Sequence, residues 1–196
     1  MKTLFVALAA GALAAPAALA DSEFSVVLQG GATHYTASLS SGSETGAAYG
    51  LRLGMLPTPM LGIEAGYLGT QNNIQESLDI GRMASTLKTN EGYADVRLNI
   101  LPGDVTPYVF GGYGLTWVSG GQASGIPNKT ANTLPFGGGL DWNIGNFKLG
   151  GRFQYNYLFD KIYTGNSGGT VTGVTADKGG NSDFWGVTVD LGASFR

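Results

Sequence analysis

The last twelve residues of the chain alternate strictly between two kinds of side chain. They read W-G-V-T-V-D-L-G-A-S-F-R; the odd positions from Trp185 to Phe195 are apolar and the even ones are glycine or polar. A period of two is that of a β-strand whose two faces meet different surroundings. A strand of about 9–11 residues also crosses a bilayer when it is tilted. This segment therefore predicts sheet, and it permits a membrane barrel.

The same alternation recurs seven times upstream, which predicts eight strands in all. The first segment is the weakest, with Phe24, Val26 and Leu28 facing one way and Ser25 and Gln29 the other. The upstream segments are 24–33, 48–55, 61–68, 93–100, 108–117, 134–143 and 147–159.

The connections between these segments alternate in length. The long ones are 34–46, 70–86, 119–132 and 160–183, and the short ones are 56–59, 102–104 and 145–146. Outer-membrane barrels have short periplasmic turns and longer external loops. The layout predicts an antiparallel up-and-down transmembrane β-barrel, with both termini and all the short turns in the periplasm.

The N-terminus has the three parts of a Sec signal peptide. Lys2 precedes an apolar run over 4–10, and Ala18-Leu19-Ala20 is an A-x-A cleavage site followed by Asp21. We therefore expect residues 1–20 to be removed on export and residues 21–196 to form the barrel domain in the outer membrane.

Composition excludes several classes of protein. The 196 residues contain no Cys and one His, which removes disulfides, thiolate sites and multi-histidine metal centres, and no cofactor is expected. Acidic residues outnumber Lys and Arg by 14 to 11, so nucleic-acid binding is disfavoured. The 33 glycines and the low charged fraction of 13% do not fit a helical protein or an ordinary soluble one.

Aromatic residues on the apolar parity fall at both ends of the predicted strands. Trp and Tyr favour the two membrane–water interfaces, so these residues predict two aromatic belts. The lower belt comprises Phe24, Trp142, Phe147 and Phe195, and the upper belt comprises Tyr67, Trp117, Tyr157, Phe159 and Trp185.

The opposite parity carries four cations and four anions among many glycines. In a soluble barrel this polar face would point to water, but a solvated face does not need so much glycine. A narrow eight-stranded lumen does, because it has room only for packed side chains. The charges predicted to face the lumen are Arg52, Glu64, Asp95, Arg97, Asp141, Lys148, Arg152 and Asp190.

At this point the chain resembles the small eight-stranded outer-membrane barrels of the OmpA/OmpX type, with OmpW-like relatives. The resemblance covers residues 21–196 and rests on the strand layout, on the segment 107–114 (P-Y-V-F-G-G-Y-G) and on the C-terminal alternation. It implies that the last strand is read by the outer-membrane insertion machinery. The family usually ends on the aromatic residue, whereas here Arg196 follows Phe195.

The inner charges are expected to form salt bridges, with either a structural or a gating role. Glu64 is expected to meet Arg97 on the neighbouring strand at the same height. Asp141 is expected to meet Arg152 with an offset of about one dipeptide. Buried charges must be paired because desolvation is costly.

Two weaker candidate sites lie on the predicted loops. His34 could act as a base for a nearby serine, as in lipid A-modifying barrels, with Ser38, Ser40, Ser41 and Glu44 close in sequence. Loop carboxylates and amides could hold Ca²⁺, although their spacing matches no ligand pattern. These residues are Asp160, Asn166, Asp177, Asn181 and Asp183.

The sequence predicts a structural or surface-interaction barrel that is not an enzyme. The first alternative is a channel for small solutes or hydrophobic compounds, and the second is a lipid A-modifying enzyme. The expected partners are outer-membrane lipid and lipopolysaccharide, with an external ligand possible on the loops. The barrel is expected to be a monomer. Leu191 is expected to face lipid near the middle of the bilayer.

Overall fold

The protein forms a closed barrel of eight strands in a computed structural model that describes residues 22–36, 45–75, 84–120, 129–159 and 183–195. No helix in these ranges is long and apolar enough to span a membrane. The strands are β1 (Glu23–Tyr35), β2 (Gly46–Leu56), β3 (Leu61–Gln75), β4 (Ala84–Asn99), β5 (Val105–Gly120), β6 (Lys129–Ile144), β7 (Phe147–Leu158) and β8 (Phe184–Phe195).

Each strand pairs antiparallel with its neighbours in sequence, and β8 closes onto β1. If the pairing is followed once round from Phe24, the path returns to β1 at His34, ten residues further along. Eight strands with this stagger enclose an interior that side chains can just fill. The predicted fold class is confirmed.

Three strands extend well beyond the segments that their alternation predicts. β3 continues to Gln75 and β4 begins at Ala84, so the bounds predicted for the connection at 70–86 are too wide: 70–75 and 84–86 are strand, and 76–83 lie outside the described residues. β6 likewise begins at Lys129, within the predicted loop 119–132. The reason is that the ladder hydrogen bonds do not need an apolar face, so the sheet continues where the alternating pattern stops.

The two faces of every strand differ sharply in exposure. Leu191 is 60% exposed on the outer face whereas Asp190 beside it is 0% exposed, and the same contrast holds round the barrel. The centre of β8 lies at Val189 and Asp190, so Leu191 sits somewhat nearer the short-turn end than mid-strand. An apolar exterior and a polar interior are the arrangement of a membrane barrel.

Hydrogen bonds tie the short turns together at one end of the barrel. The side-chain amide of Asn99 donates to the Pro59 carbonyl at 2.8 Å, and the side-chain amide of Asn143 donates to the Gly103 carbonyl at 2.9 Å. Gly145 has a φ of 61°, which fits the two-residue hairpin between β6 and β7. The turns are thus fixed relative to each other beneath the lumen.

Candidate functional site in the lumen

Eight charged side chains from six strands converge inside the barrel. Each is at most 4% exposed. They are Arg52 on β2, Glu64 on β3, Asp95 and Arg97 on β4, Asp141 on β6, Lys148 and Arg152 on β7, and Asp190 on β8.

Glu64 is the hub of this network because three guanidinium groups contact its carboxylate. Its oxygens lie 2.7 Å from Arg152 Nη1, 3.3 Å from Arg97 Nη1 and 3.6 Å from Arg52 Nε. The structure therefore brings Glu64 and Arg97 together as expected, and it adds two partners from β2 and β7. A single carboxylate cannot neutralise three guanidinium groups, so the arginines need further anions.

Each of the three arginines also forms a salt bridge with a second carboxylate. Arg52 Nη2 lies 2.9 Å from Asp190, Arg152 Nη2 lies 2.7 Å from Asp95, and Arg97 Nη1 lies 2.6 Å from Asp141. Each guanidinium thus bridges Glu64 to a second carboxylate. The result is one connected network rather than isolated pairs.

The expected pair between Asp141 and Arg152 is wrong. The register places Asp141 opposite Gly150 and Arg152 opposite Gly139, so Arg152 lies too far along its strand. Arg152 instead reaches across the lumen to β3 and β4, while Asp141 has Arg97 at 2.6 Å and Lys148 Nζ at 3.9 Å. In a narrow barrel the far wall is as accessible to a long side chain as the adjacent strand.

Aromatic rings fill the remaining space around the arginines. The Arg97 guanidinium lies 3.7 Å from the centre of the Tyr108 ring, and that of Arg152 lies 3.3 Å from the Phe110 ring. Such cation–π contacts strengthen when they are desolvated. A Cβ added at Gly139 would collide with Tyr108, which explains why glycine faces the ring there.

A polar layer and an apolar layer lie between this network and the long-loop end. Glu91 is fully buried near Gln154, whose amide donates to it at 3.4 Å. Sequence reasoning missed Glu91 because it lay just outside the predicted strand, although it shares the parity of Tyr93 and Asp95. The apolar cluster above comprises Tyr35, Ala48, Leu68, Tyr93, Val118, Ala131, Leu158 and Phe184.

A small polar cavity opens at the short-turn end. Its volume is about 70 Å³, and Arg97, Asn99, Asn143 and Lys148 are among its lining residues. Lys148 Nζ lies 3.5 Å from Glu23 at this rim. Arg97, which lines the cavity, also belongs to the charge network, so the polar opening leads directly to the packed layer.

The two loop sites proposed from the sequence do not assemble in the described residues. His34 lies on the outer face with its ring 5.9 Å from that of Trp185. Ser38, Ser40, Ser41 and Glu44 fall outside the described ranges, as do Asp160, Asn166, Asp177 and Asn181. No metal-binding group of acidic, His or Cys residues occurs in the part of the chain that is described.

Asp183, the remaining candidate for Ca²⁺, is a structural acceptor. It is 3% exposed, and its carboxylate accepts from the Leu158 amide at 3.0 Å and from the Tyr155 hydroxyl at 3.1 Å. Its backbone carbonyl accepts from the amide of Thr36 at 2.9 Å. The residue therefore joins β7, β8 and β1 at the long-loop end of the barrel.

The aromatic residues predicted as belts lie on the outer face. Phe147 is the most exposed of them at 73%. Trp185 is half-buried between the rings of His34 and Phe153. The others on this face are Phe24, Tyr67, Trp117, Trp142, Tyr157, Phe159 and Phe195.

Comparison with known sequences gives one family. Residues 3–161 match the family described as the outer membrane protein beta-barrel domain, which is most of the chain. A comparison with curated protein sequences gives no significant match.

Three solved structures with the same fold are distant from this chain in sequence. Neisserial surface protein A superposes with a TM-score of 0.61 at 16% identity, covering 88% of this chain and 97% of that one. Ail, the attachment invasion locus protein of Yersinia pestis, gives 0.56 at 16% identity, with coverages of 88% and 98%. OprG of Pseudomonas aeruginosa gives 0.54 at 11%, with coverages of 89% and 96%.

Proposed function

The chain belongs to the outer-membrane protein β-barrel family, and from this premise we propose that it is a non-conducting, non-enzymatic barrel that presents its long connections at the cell surface. It is an integral outer-membrane protein with a packed polar lumen. Its proposed role is structural or in surface interaction. We also propose that residues 1–20 are removed on export and that the outer-membrane insertion machinery recognises the C-terminal strand. The inserted barrel is proposed to be a monomer.

The observation that carries the proposal is the blocked lumen. Tyr108, Phe110 and the three arginines around Glu64 fill the cross-section, and an apolar cluster lies beyond them. An ion would have to displace charges that are already paired and held against rings. The inner charges therefore serve as a polar core that holds the barrel walls together.

We expect the purified protein to give no conductance steps in planar bilayers. The double variant Tyr108→Ala/Phe110→Ala should stay silent as well, because it removes both rings that lie against Arg97 and Arg152 but leaves the paired charges and the apolar cluster beyond them in place. Single-channel recording of both proteins at the same concentration is the measurement. Regular steps from the unmodified protein would favour the channel function instead.

The long connections are proposed to be external and the short turns periplasmic. A site for a specific protease inserted between 160 and 182 should be cut on intact cells, whereas the same site between 100 and 104 should be cut only after the outer membrane is opened. Immunoblotting of the fragments is the measurement. Cleavage at 100–104 on intact cells would show that the barrel has the opposite orientation.

The non-enzymatic part of the proposal rests on the surroundings of His34. Its ring packs beside Trp185 on the outer face, which is an arrangement expected of an interfacial aromatic pair. Mass spectra of lipid A from cells with and without the protein test this point. A change in acylation that is lost in His34→Ala would establish the enzyme.

A further inference from the structure

One half of the barrel carries a polar patch on its outer face above the aromatic residues. Lys88 on β4 is paired with Gln71 on β3 and with Ser119 on β5, so the three side chains lie side by side. All three are exposed. At the tops of β7, β8 and β1 the outer face instead carries Tyr157, Phe159, Trp185 and His34.

The patch follows directly on the apolar face that meets lipid. Gln71 is four residues beyond Tyr67, and Ser119 is two residues beyond Trp117. The Tyr67 hydroxyl donates to Asn90 at 2.5 Å, one step below Lys88 on the same face. Since Tyr and Trp sit at the interface of a membrane, the patch falls at the level of the lipid headgroups.

Lys88 is a cation exposed on the outside of the barrel, whereas Arg52, Arg97, Lys148 and Arg152 are buried in the lumen. It makes no salt bridge there with a described residue. An exposed ammonium beside an anionic lipid surface contributes attraction to phosphate. The uncharged hydrogen-bonding groups on both sides of it suit hydroxyl-rich chemistry rather than a bare phosphate.

We propose that Lys88, Gln71 and Ser119 form a binding site for the phosphorylated saccharide headgroup of an outer-leaflet glycolipid of the lipid A type. Lys88 pairs with the phosphate, and Gln71 and Ser119 hydrogen-bond to the sugar. This inference rests on the proposed orientation, in which the long-loop end faces the outside. The site lies on one side of the barrel only, so the lipid is held in one place rather than all round.

The test is binding of bisphosphorylated lipid A to the folded, full-length barrel in detergent micelles, followed by native mass spectrometry. Lys88→Gln should weaken binding about fivefold, corresponding to the about 1 kcal/mol that one basic residue contributes near an anionic surface. Lys88→Arg, which keeps the charge, should bind like the parent. Lipid A without phosphates should bind weakly to all three proteins and show no dependence on residue 88.

A second variant separates the sugar contacts from the charge. Gln71→Ala/Ser119→Ala should weaken binding of lipid A but leave binding of phosphatidylglycerol unchanged. Equal losses for both lipids would mean a general anionic-phospholipid contact and would overturn the proposal, as would unchanged lipid A binding in Lys88→Gln. Both ends are accessible in micelles, so failure here is distinct from a reversed orientation, which the protease experiment detects.

Discussion

Glu64→Gln is expected to lower the free energy of unfolding by about 3–5 kcal/mol, the cost of removing one partner from a buried ion pair. The substitution keeps the shape of the side chain but leaves Arg52, Arg97 and Arg152 without their shared carboxylate. Urea unfolding in phospholipid vesicles, followed by tryptophan fluorescence, measures the change. Heat-modifiable migration on gels reports whether the barrel has folded.

Glu23→Gln is the matched control for this substitution. Glu23 sits at the rim, where it is partly exposed and lies 3.5 Å from Lys148, so its loss should cost about 1 kcal/mol or less. Combining Glu64→Gln with Arg97→Met should cost less than the sum of the single changes, because the two side chains contact each other. Additive losses, or a Glu64→Gln barrel as stable as the parent, would contradict the central role of Glu64 in the charge network.

Val189→Arg is expected to destabilise the barrel by about 2–4 kcal/mol, the range for a lipid-facing cation at the bilayer midplane. Val189 is 58% exposed on the outer face at the centre of β8. Leu191→Arg should cost less, because that residue is nearer one end of the strand and its guanidinium can reach the interface. Equilibrium unfolding in vesicles of defined acyl-chain length measures both.

Val189→Ala serves as the control, because it removes apolar volume from the lipid face without adding a charge. It should cost far less than the arginine variant. If all three variants had the same stability, β8 would not cross the hydrocarbon region in the inferred register. A larger loss for Leu191→Arg than for Val189→Arg would move the midplane toward the short turns.

The barrel was predictable because parity is a local property. Phe24, Val26 and Leu28 had to share a face whatever their partners were, and the alternating loop lengths then fixed the order of the strands. The eight inner charges followed from the same parity. The period of two, the glycine content, the signal peptide and the aromatic belts together placed them inside.

The partners of those charges were not predictable in the same way. The Asp141–Arg152 prediction considered only neighbouring strands, whereas Arg152 spans the lumen to Glu64. Such a contact depends on stagger, which sums over every strand pair and cannot be read from one segment. Glu91 was missed for a simpler reason, since the polar outer residues Lys88 and Asn90 hide the alternation where β4 leaves the apolar zone.

The distribution of the charges over the strands has a consequence for how the barrel assembles. Arg52 on β2 finds Asp190 on β8, and Arg152 on β7 finds Glu64 and Asp95 on β3 and β4, so these pairs join segments far apart in the chain. No single hairpin can neutralise them. An open, partly assembled sheet would carry unpaired charges on its concave side, where they would hold water and oppose insertion. Neutralisation of these charges is thus tied to the final joining of β1 to β8. A completed barrel has paired charges in its lumen, whereas a partly assembled one has unpaired charges there.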